Sequence, residues 1–370
     1  MADSRVPPRR VQALRRALLR WFAREQRDLP WRRTRDPYAI WVSEVMLQQT
    51  QVTRVTERWP RFLRRFPTVR ALALAPLDDV LAEWSGMGYY ARARNLHRAA
   101  QTIAEVHGGV LPRTAAGLRE LPGFGPYTAG AVASIAFDEA TPLVDGNVAR
   151  VLSRLFAVDG LPGTPSRERR LWALAAALVE GPQPGALNQS LMELGALVCT
   201  PSAPRCGHCP ARGQCDAHRL RRVDELPPPK PRKAPRRLRL LTLAFAHRGA
   251  LAFTQNRADA LFGGLWSLPS YELKSAETPT AEAARRFDSA RWRWVDTVHR
   301  TLTHRELSLE IVTAPLPPGG IASLGNVRWL REEALGQVGI SNAMREAARR
   351  AYQDLRAPTA RRRTARRSLP

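Results

Sequence analysis

No stretch of this chain approaches the ~18 consecutive apolar residues of a transmembrane helix. Its first residues, Met-Ala-Asp-Ser-Arg-Val-Pro-Pro-Arg-Arg, hold no apolar core of a secretion signal. Membrane and secreted classes are set aside, and a cytoplasmic, nucleoid-associated monomer is expected. Acids are scarce: 33 Asp and Glu stand against 58 Lys and Arg, a net charge of +25. Cysteine is rarer still, and all four lie between positions 199 and 215. In a reducing compartment such clustering points to metal rather than to disulfides. From Val11 to about Ala217 there is also no alternating strand pattern.

The basic excess is mostly arginine and favours a polyanion. Nucleic acid leads, because forked guanidinium groups suit phosphate, and 10 Trp, 10 Phe and 6 Tyr are available to stack or wedge between bases. The plainer alternative is an arginine-rich composition with solvated charged faces.

At 370 residues the chain is comfortable for two domains. Residues 1–225 read as mainly α, with helical segments such as Val11 to Glu25, Leu77 to Trp84, Ala91 to Val106 and Leu171 to Glu180 between Pro and Gly breaks. Residues 226–237 hold a Pro/Arg/Lys-rich run that should form an extended linker. Residues 238–356 read as a smaller α+β domain, with strands expected at Leu238 to Ala246, Leu251 to Thr254, Trp292 to Val295, Leu307 to Val312 and Val327 to Leu330, and a helix from Asn342 to Asp354. Residues 357–370 read as a disordered basic tail.

The stretch from Asp36 to Val52 is an apolar helix pattern that carries one acid, Glu44. Asp36 suits an N-cap and Pro37 the first helical position. Ile40, Glu44 and Leu47 share a stripe. A lone Glu on a helix usually faces solvent; buried among apolar side chains, it would instead be a neutral acid able to give up a proton near pH 7. Leu121 to Gly130 pairs Gly123 and Gly125 in a turn ahead of a helix expected from Ala129 to Ala136. Such a turn brings backbone N–H groups toward a phosphate, or is an ordinary helix corner. Asp145 precedes a helix expected from Val148 to Phe156, as a simple N-cap or as a carboxylate beside a reacting centre. Cys199, Cys206, Cys209 and Cys215 are spaced for convergence on one metal centre. Their unequal spacing suits an iron–sulfur cluster better than paired zinc knuckles, with His208 and His218 as alternative zinc ligands.

Taken in order, the buried-acid helix, the Gly-x-Gly hairpin, Asp145 and the four-cysteine loop resemble the helix-hairpin-helix iron–sulfur DNA glycosylases of the endonuclease III superfamily. The resemblance extends from Leu29-Pro-Trp-Arg32 into the C-terminal part, and within the superfamily it is to the branch that removes adenine opposite 8-oxoguanine. It implies a helical glycosylase domain with a 4Fe-4S cluster and a Nudix-like recognition domain. The partner it implies is duplex DNA carrying A:8-oxoguanine or A:G. Relatives that cleave the strand carry a lysine at the hairpin position held here by Tyr127, so a monofunctional enzyme is implied. Glu44 takes the role of the acid at adenine N7, and Asp145 that of stabilising the sugar cation, supported by Tyr127 and Asn147.

By the same resemblance Arg27, Leu29, Trp31, Arg32 and Gln189 line the adenine pocket. Leu47, Gln49, Thr50, Tyr89, Gly123 and Gly125 meet the DNA, with core packing the alternative for Trp31 and Tyr89. The acids Glu272, Glu277 and Glu282 lack the spacing of a Nudix hydrolase's Mg²⁺ box, which implies binding without hydrolysis. Where many relatives read 8-oxoguanine with Phe-Ser-His, this chain has Leu302-Thr303-His304, so the contact falls to Thr303 and His304. Two other activities of the chain's own compete with this reading: a bifunctional glycosylase/lyase and a non-catalytic iron–sulfur DNA-binding protein.

Overall fold

The structure is a computed structural model that describes residues 6–229, 234–257, 260–274, 277–287, 291–302 and 305–357. Two compact units divide the chain. One comprises Met1–Leu74 with Asn95–Pro231, the other Ala75–Arg94 with Arg232–Pro370.

The first unit is helical. Proline opens many of its helices, among them Pro8–Glu25, Pro37–Leu47, Pro126–Phe137, Pro165–Val179 and Pro184–Leu197. Its fixed φ and missing N–H cost nothing at a helix start. Side-chain caps supply other starts: Asp36 accepts from the Tyr38 N–H, Thr114 from Gly117 and Asp145 from Val148. Two helices are buried nearly all round, as their even apolar content requires. Tyr38 to Met46 are buried without a break in one, and Thr128 to Ile135 in the other. Trp41 from the first stacks on Phe124 ahead of the second, ring centroids 5.1 Å apart, which brings Glu44 toward the hairpin.

The second unit is built on one mixed sheet. Its strands are β1 (Arg236–His247), β2 (Ala250–Gln255), β3 (Trp266–Ser267), β4 (Ser270–Glu272), β5 (Arg293–Leu302), β6 (Arg305–Pro315) and β7 (Val327–Leu330). The order is β3-β2-β1-β6-β5, with β4 also on β1 and β7 on β2. β1 and β6 run parallel, and the other pairs are antiparallel. The Asn342–Arg356 helix packs its Ala343, Met344, Ala347, Ala348 and Ala351 into one apolar cluster with Leu307, Leu309 and Ile311 of β6. Glu272, Glu277 and Glu282 are each tied to arginine: Glu272 to Arg236, Glu277 to Arg285, and Glu282 to Arg285 and Arg286. Among the described residues no helix is long and apolar enough to cross a membrane.

The expected boundaries differ from this partition in one segment. Sequence pattern places Ala75–Arg94 in the helical domain of residues 1–225, yet it packs as part of the second unit. The Trp266 indole N–H donates to Asp78 at 3.0 Å, and Gly339 lies so close to Leu81 that a Cβ there would be 2.7 Å from Leu81 Cβ. The 226–237 linker is also shorter than expected, because β1 already begins at Arg236, and its residues 230–233 lie outside the described residues. So do residues 358–370 of the expected tail.

Candidate active site

The Pro37–Leu47 helix leaves Glu44 no solvated face to turn to, and its side chain is buried. The Tyr127 hydroxyl donates to Glu44 Oε2 at 2.7 Å. That phenol comes from the first turn of the Pro126–Phe137 helix, directly after the hairpin. Burial pushes the Glu44 carboxyl up from 4.5 to about 7; the Tyr127 hydrogen bond and Arg32 oppose the rise, and the charge of Asp145 adds to it. Tyr127 itself is pushed well above the ordinary phenol range, first by burial and then by the two carboxylates, so it stays a donor.

Asp145 caps the Gly146–Leu155 helix and faces the same centre. Its Oδ1 accepts the Val148 N–H at 2.7 Å and its Oδ2 the Asn147 side-chain amide at 3.0 Å. Burial raises the Asp145 carboxyl above its ordinary value, and these donors, which favour the anion, offset only part of the rise. One carboxyl is therefore held by a single hydroxyl donor in an apolar setting, the other by several N–H donors at a helix start. Environments that differ this way separate an acid from an anion.

A chain of hydrogen bonds leads on from Asp145. Arg150 donates to Asn147 Oδ1 and to the Gly195 carbonyl, each at 2.8 Å, and to the Cys199 carbonyl at 2.7 Å. Gly195 permits this closeness, since a Cβ there would be 2.6 Å from Asn147 Cβ. Cys199, Cys206, Cys209 and Cys215 line one cavity together with Arg154 and His218. All four are free thiols. Arg154, fully enclosed, points Nη1 at Cys199 Sγ at 3.4 Å and at the Thr200 carbonyl at 2.7 Å. Burial pushes the Cys209 thiol up to about 12. A thiolate cluster here would meet a buried guanidinium already in place. The donor set fits an iron–sulfur cluster.

Other expected site residues fall in several groups. Arg27 and Arg32 are both locked onto Glu193, with N–O distances of 2.7 and 2.8 Å to its Oε2. Leu29 and Trp31 are buried, and Trp31 meets Trp59 edge to face at 6.2 Å. Gln189 lies one turn before Glu193 on the Pro184–Leu197 helix. Leu47 ends the Glu44 helix, followed by exposed Gln49 at φ +55° and by Thr50. Tyr89 is 46 % exposed at φ +47° and belongs to the second unit. Gly123 needs to be glycine, with φ +78° and Asn95 Cβ 2.6 Å from where a Cβ would stand. Gly125 does not: its φ of −79° suits any residue, and open space surrounds it. Thr303 and His304 lie outside the described residues.

Sequence reasoning misses Glu193 and Arg150. Glu193 repeats the Glu44 signal, one acid in the apolar run Leu191-Met192-Glu193-Leu194, and it is buried. Paired with two guanidinium groups, it is pulled down to about 2 despite that burial.

Comparison with known proteins completes the assignment. The model of the HhH-GPD superfamily of base excision DNA repair proteins matches residues 42–177, and that of the NUDIX domain matches residues 241–350. Human adenine DNA glycosylase is 36% identical over 413 residues, covering 92% of this chain and 74% of that protein. The chain belongs to the adenine DNA glycosylase family. The mouse adenine DNA glycosylase is likewise 36% identical, covering 94% of this chain and 79% of its own. Among solved structures, a thermostable thymine-DNA glycosylase superposes with TM-score 0.51 at 29% identity, covering 57% of this chain and 98% of that one. As an adenine DNA glycosylase, the chain is an enzyme that hydrolyses an N-glycosyl bond in base excision repair of DNA.

The two buried acids predict opposite pH dependences of stability. Folded Glu44 holds its proton between 4.5 and about 7, so wild type loses stability as pH rises through that window. Glu44→Gln escapes this loss and should gain on wild type by on the order of 3 kcal/mol across it. Glu193, with its pKa depressed to about 2, contributes stability that is complete above 4.5 and fades as pH falls toward 2. Glu193→Gln should therefore be less stable at pH 7 by on the order of 3 kcal/mol, with the deficit shrinking in acid. Denaturant unfolding at a series of pH values tests both, and parallel curves for the three proteins would contradict the assignment.

Proposed function

We propose that this glycosylase removes adenine mispaired with 8-oxoguanine, and with guanine, by a monofunctional mechanism. The observation that carries the reading is the Glu44 carboxyl, buried on Tyr127 and pushed up to about 7, with the Asp145 carboxyl, which accepts two N–H donors, facing the same centre. Adenine leaves the duplex stack so that its N7 and glycosidic bond can be reached. Glu44 gives its proton to N7, and the electron pair of the breaking C–N bond passes into the base. Positive charge develops on the sugar, where Asp145 opposes it electrostatically or by transient covalent attack, and water completes the hydrolysis. Asn147 and Arg150 keep Asp145 aimed, while Glu193 fixes Arg27 and Arg32 at the base pocket.

A strand-cleaving mechanism needs an amine at the sugar, and the sequence speaks against one. Its only lysines are Lys230, Lys233 and Lys274, none of them in the helical segment that carries Glu44 and Asp145. For lesion recognition, exposed Gln49 and Tyr89 both hold left-handed backbone, a strain that is commonest at functional contacts. They are the proposed wedges, with Thr50 beside them. The 8-oxoguanine contact falls to Thr303 and His304 after Leu302, where the hydroxyl and imidazole are retained and the aromatic is not. Among the described residues no three His, Cys, Asp or Glu side chains gather closely enough to hold a single ion. The four cysteines at unequal spacing around one cavity support a 4Fe-4S cluster over paired zinc knuckles. Such a cluster would fix the loop at Cys199 that Arg150 grips.

Labelled duplexes carrying A:8-oxoguanine, A:G or A:T, assayed with and without alkali, test the activity. Wild type should release adenine from the first two and break the strand only after alkali. Glu44→Gln should bind the duplex but lose at least about 100-fold in rate. Strand breaks without alkali at the rate of base loss would overturn the monofunctional reading. Elemental analysis tests the cluster: about four iron and four acid-labile sulfide per chain are expected, and one zinc without sulfide would refute it.

A further inference from the structure

The turn that carries Tyr89 is tight and held from both sides. Gly86, Gly88 and Tyr89 have φ of +90°, +70° and +47°. Within the turn the Trp84 indole donates to the Gly88 carbonyl at 3.2 Å, and Arg92 donates to the Met87 and Gly88 carbonyls at 3.1 and 3.2 Å. The Arg92 guanidinium lies 5.7 Å from the Tyr89 ring centroid. These contacts shape the turn without anchoring it.

The anchor comes from residues some 250 positions later in the chain, within the same compact unit. Arg345 Nη2 donates to Ser85 Oγ at 2.7 Å, on the residue after Trp84. The Tyr90 hydroxyl donates to the Ile340 carbonyl at 3.4 Å, on the residue after Tyr89. Gly339 packs against Leu81 on the helix just before the turn. Ser85 and Tyr90 are buried while Tyr89 between them is exposed, so the ring is presented from a base clamped at both ends.

We propose that the Gly339–Arg345 segment positions Tyr89 for insertion into the duplex, with Arg345 on Ser85 as one of its grips. The C-terminal part of the chain then governs mispair reading through the wedge, in addition to any direct contact with the lesion. This rests on the reading of Tyr89 as a wedge. Arg345 is a positioning residue: it touches neither substrate nor reacting atoms. Its loss should weaken engagement of the mispair and leave the bond-breaking step intact.

The test uses the full chain and a duplex with A:8-oxoguanine flanked by 2-aminopurine, whose fluorescence rises when a wedge unstacks it. Arg345→Met should raise KM about tenfold, the cost of a lost charged hydrogen bond, and abolish the rise, with the single-turnover rate at saturating enzyme retained. Arg345→Lys should restore part of both. Ser85→Ala, which removes only a hydroxyl and preserves the fold should Arg345→Met disturb it, should reproduce the loss in part, and the double variant should be no worse than Arg345→Met. Wild-type KM and fluorescence in Ser85→Ala, or effects that multiply in the double variant, would overturn the clamp. Tyr89→Ser separates the two ideas. If it abolishes the fluorescence rise while Ser85→Ala leaves the rise as in wild type, the clamp alone fails; if it behaves as wild type, the wedge reading fails and the clamp with it.

Discussion

One hydrogen bond organises the helical half of this protein: the Tyr127 hydroxyl on the Glu44 carboxyl, 2.7 Å long, in surroundings that exclude water from the acid. A carboxylate in that place would forfeit several kcal/mol of hydration, and one phenol returns too little of it, so the group keeps its proton to about pH 7. Much of the surrounding packing serves this state. Trp41 on Phe124 sets the distance between the two helices, and Gln48 reaches Thr128 at 3.1 Å across the same seam. The acid is costly to the fold, and in the proposed mechanism it is useful for the same reason, since a proton retained at neutral pH is one it could pass to a leaving base.

Asp145 shows the opposite solution a short way off. It too is buried, but a helix start and an asparagine supply the donors that an anion needs. Arg150 carries that arrangement through Asn147 to the backbone of Cys199. The order of the cysteine loop and the aim of the Asp145 carboxylate are thus mechanically connected through Asn147 and Arg150.

Parts of this arrangement are legible in the amino-acid sequence. The Asp36 cap, Pro37 and the apolar run fix the Glu44 helix, and Ala91–Val106 and Val327–Leu330 lie where their patterns place them. Apolar periodicity marks a buried stripe but not a polar first turn, so helices expected at Ala129 and Leu171 begin at Pro126 and Pro165. β5 runs to Leu302, well past Val295, because its outer half is mostly exposed and is held by the backbone ladder to β6 rather than by alternation. Glu193 carries the same local signal as Glu44; two arginines distant in sequence make it an anion where Glu44 is neutral, and local pattern cannot tell the two apart. Placing Ala75–Arg94 needs contacts such as Asp78 with Trp266, which no local pattern encodes.

The central claim is that Glu44 is a neutral acid at physiological pH because of where it sits. Carbon-13 NMR of chain labelled at the glutamate side-chain carboxyl, titrated without DNA and compared with Glu44→Gln, observes it directly. The signal missing from the variant should titrate near 7 in wild type. A midpoint near the ordinary 4.5 would contradict the account, because Glu44 would then hold no proton to give when adenine leaves.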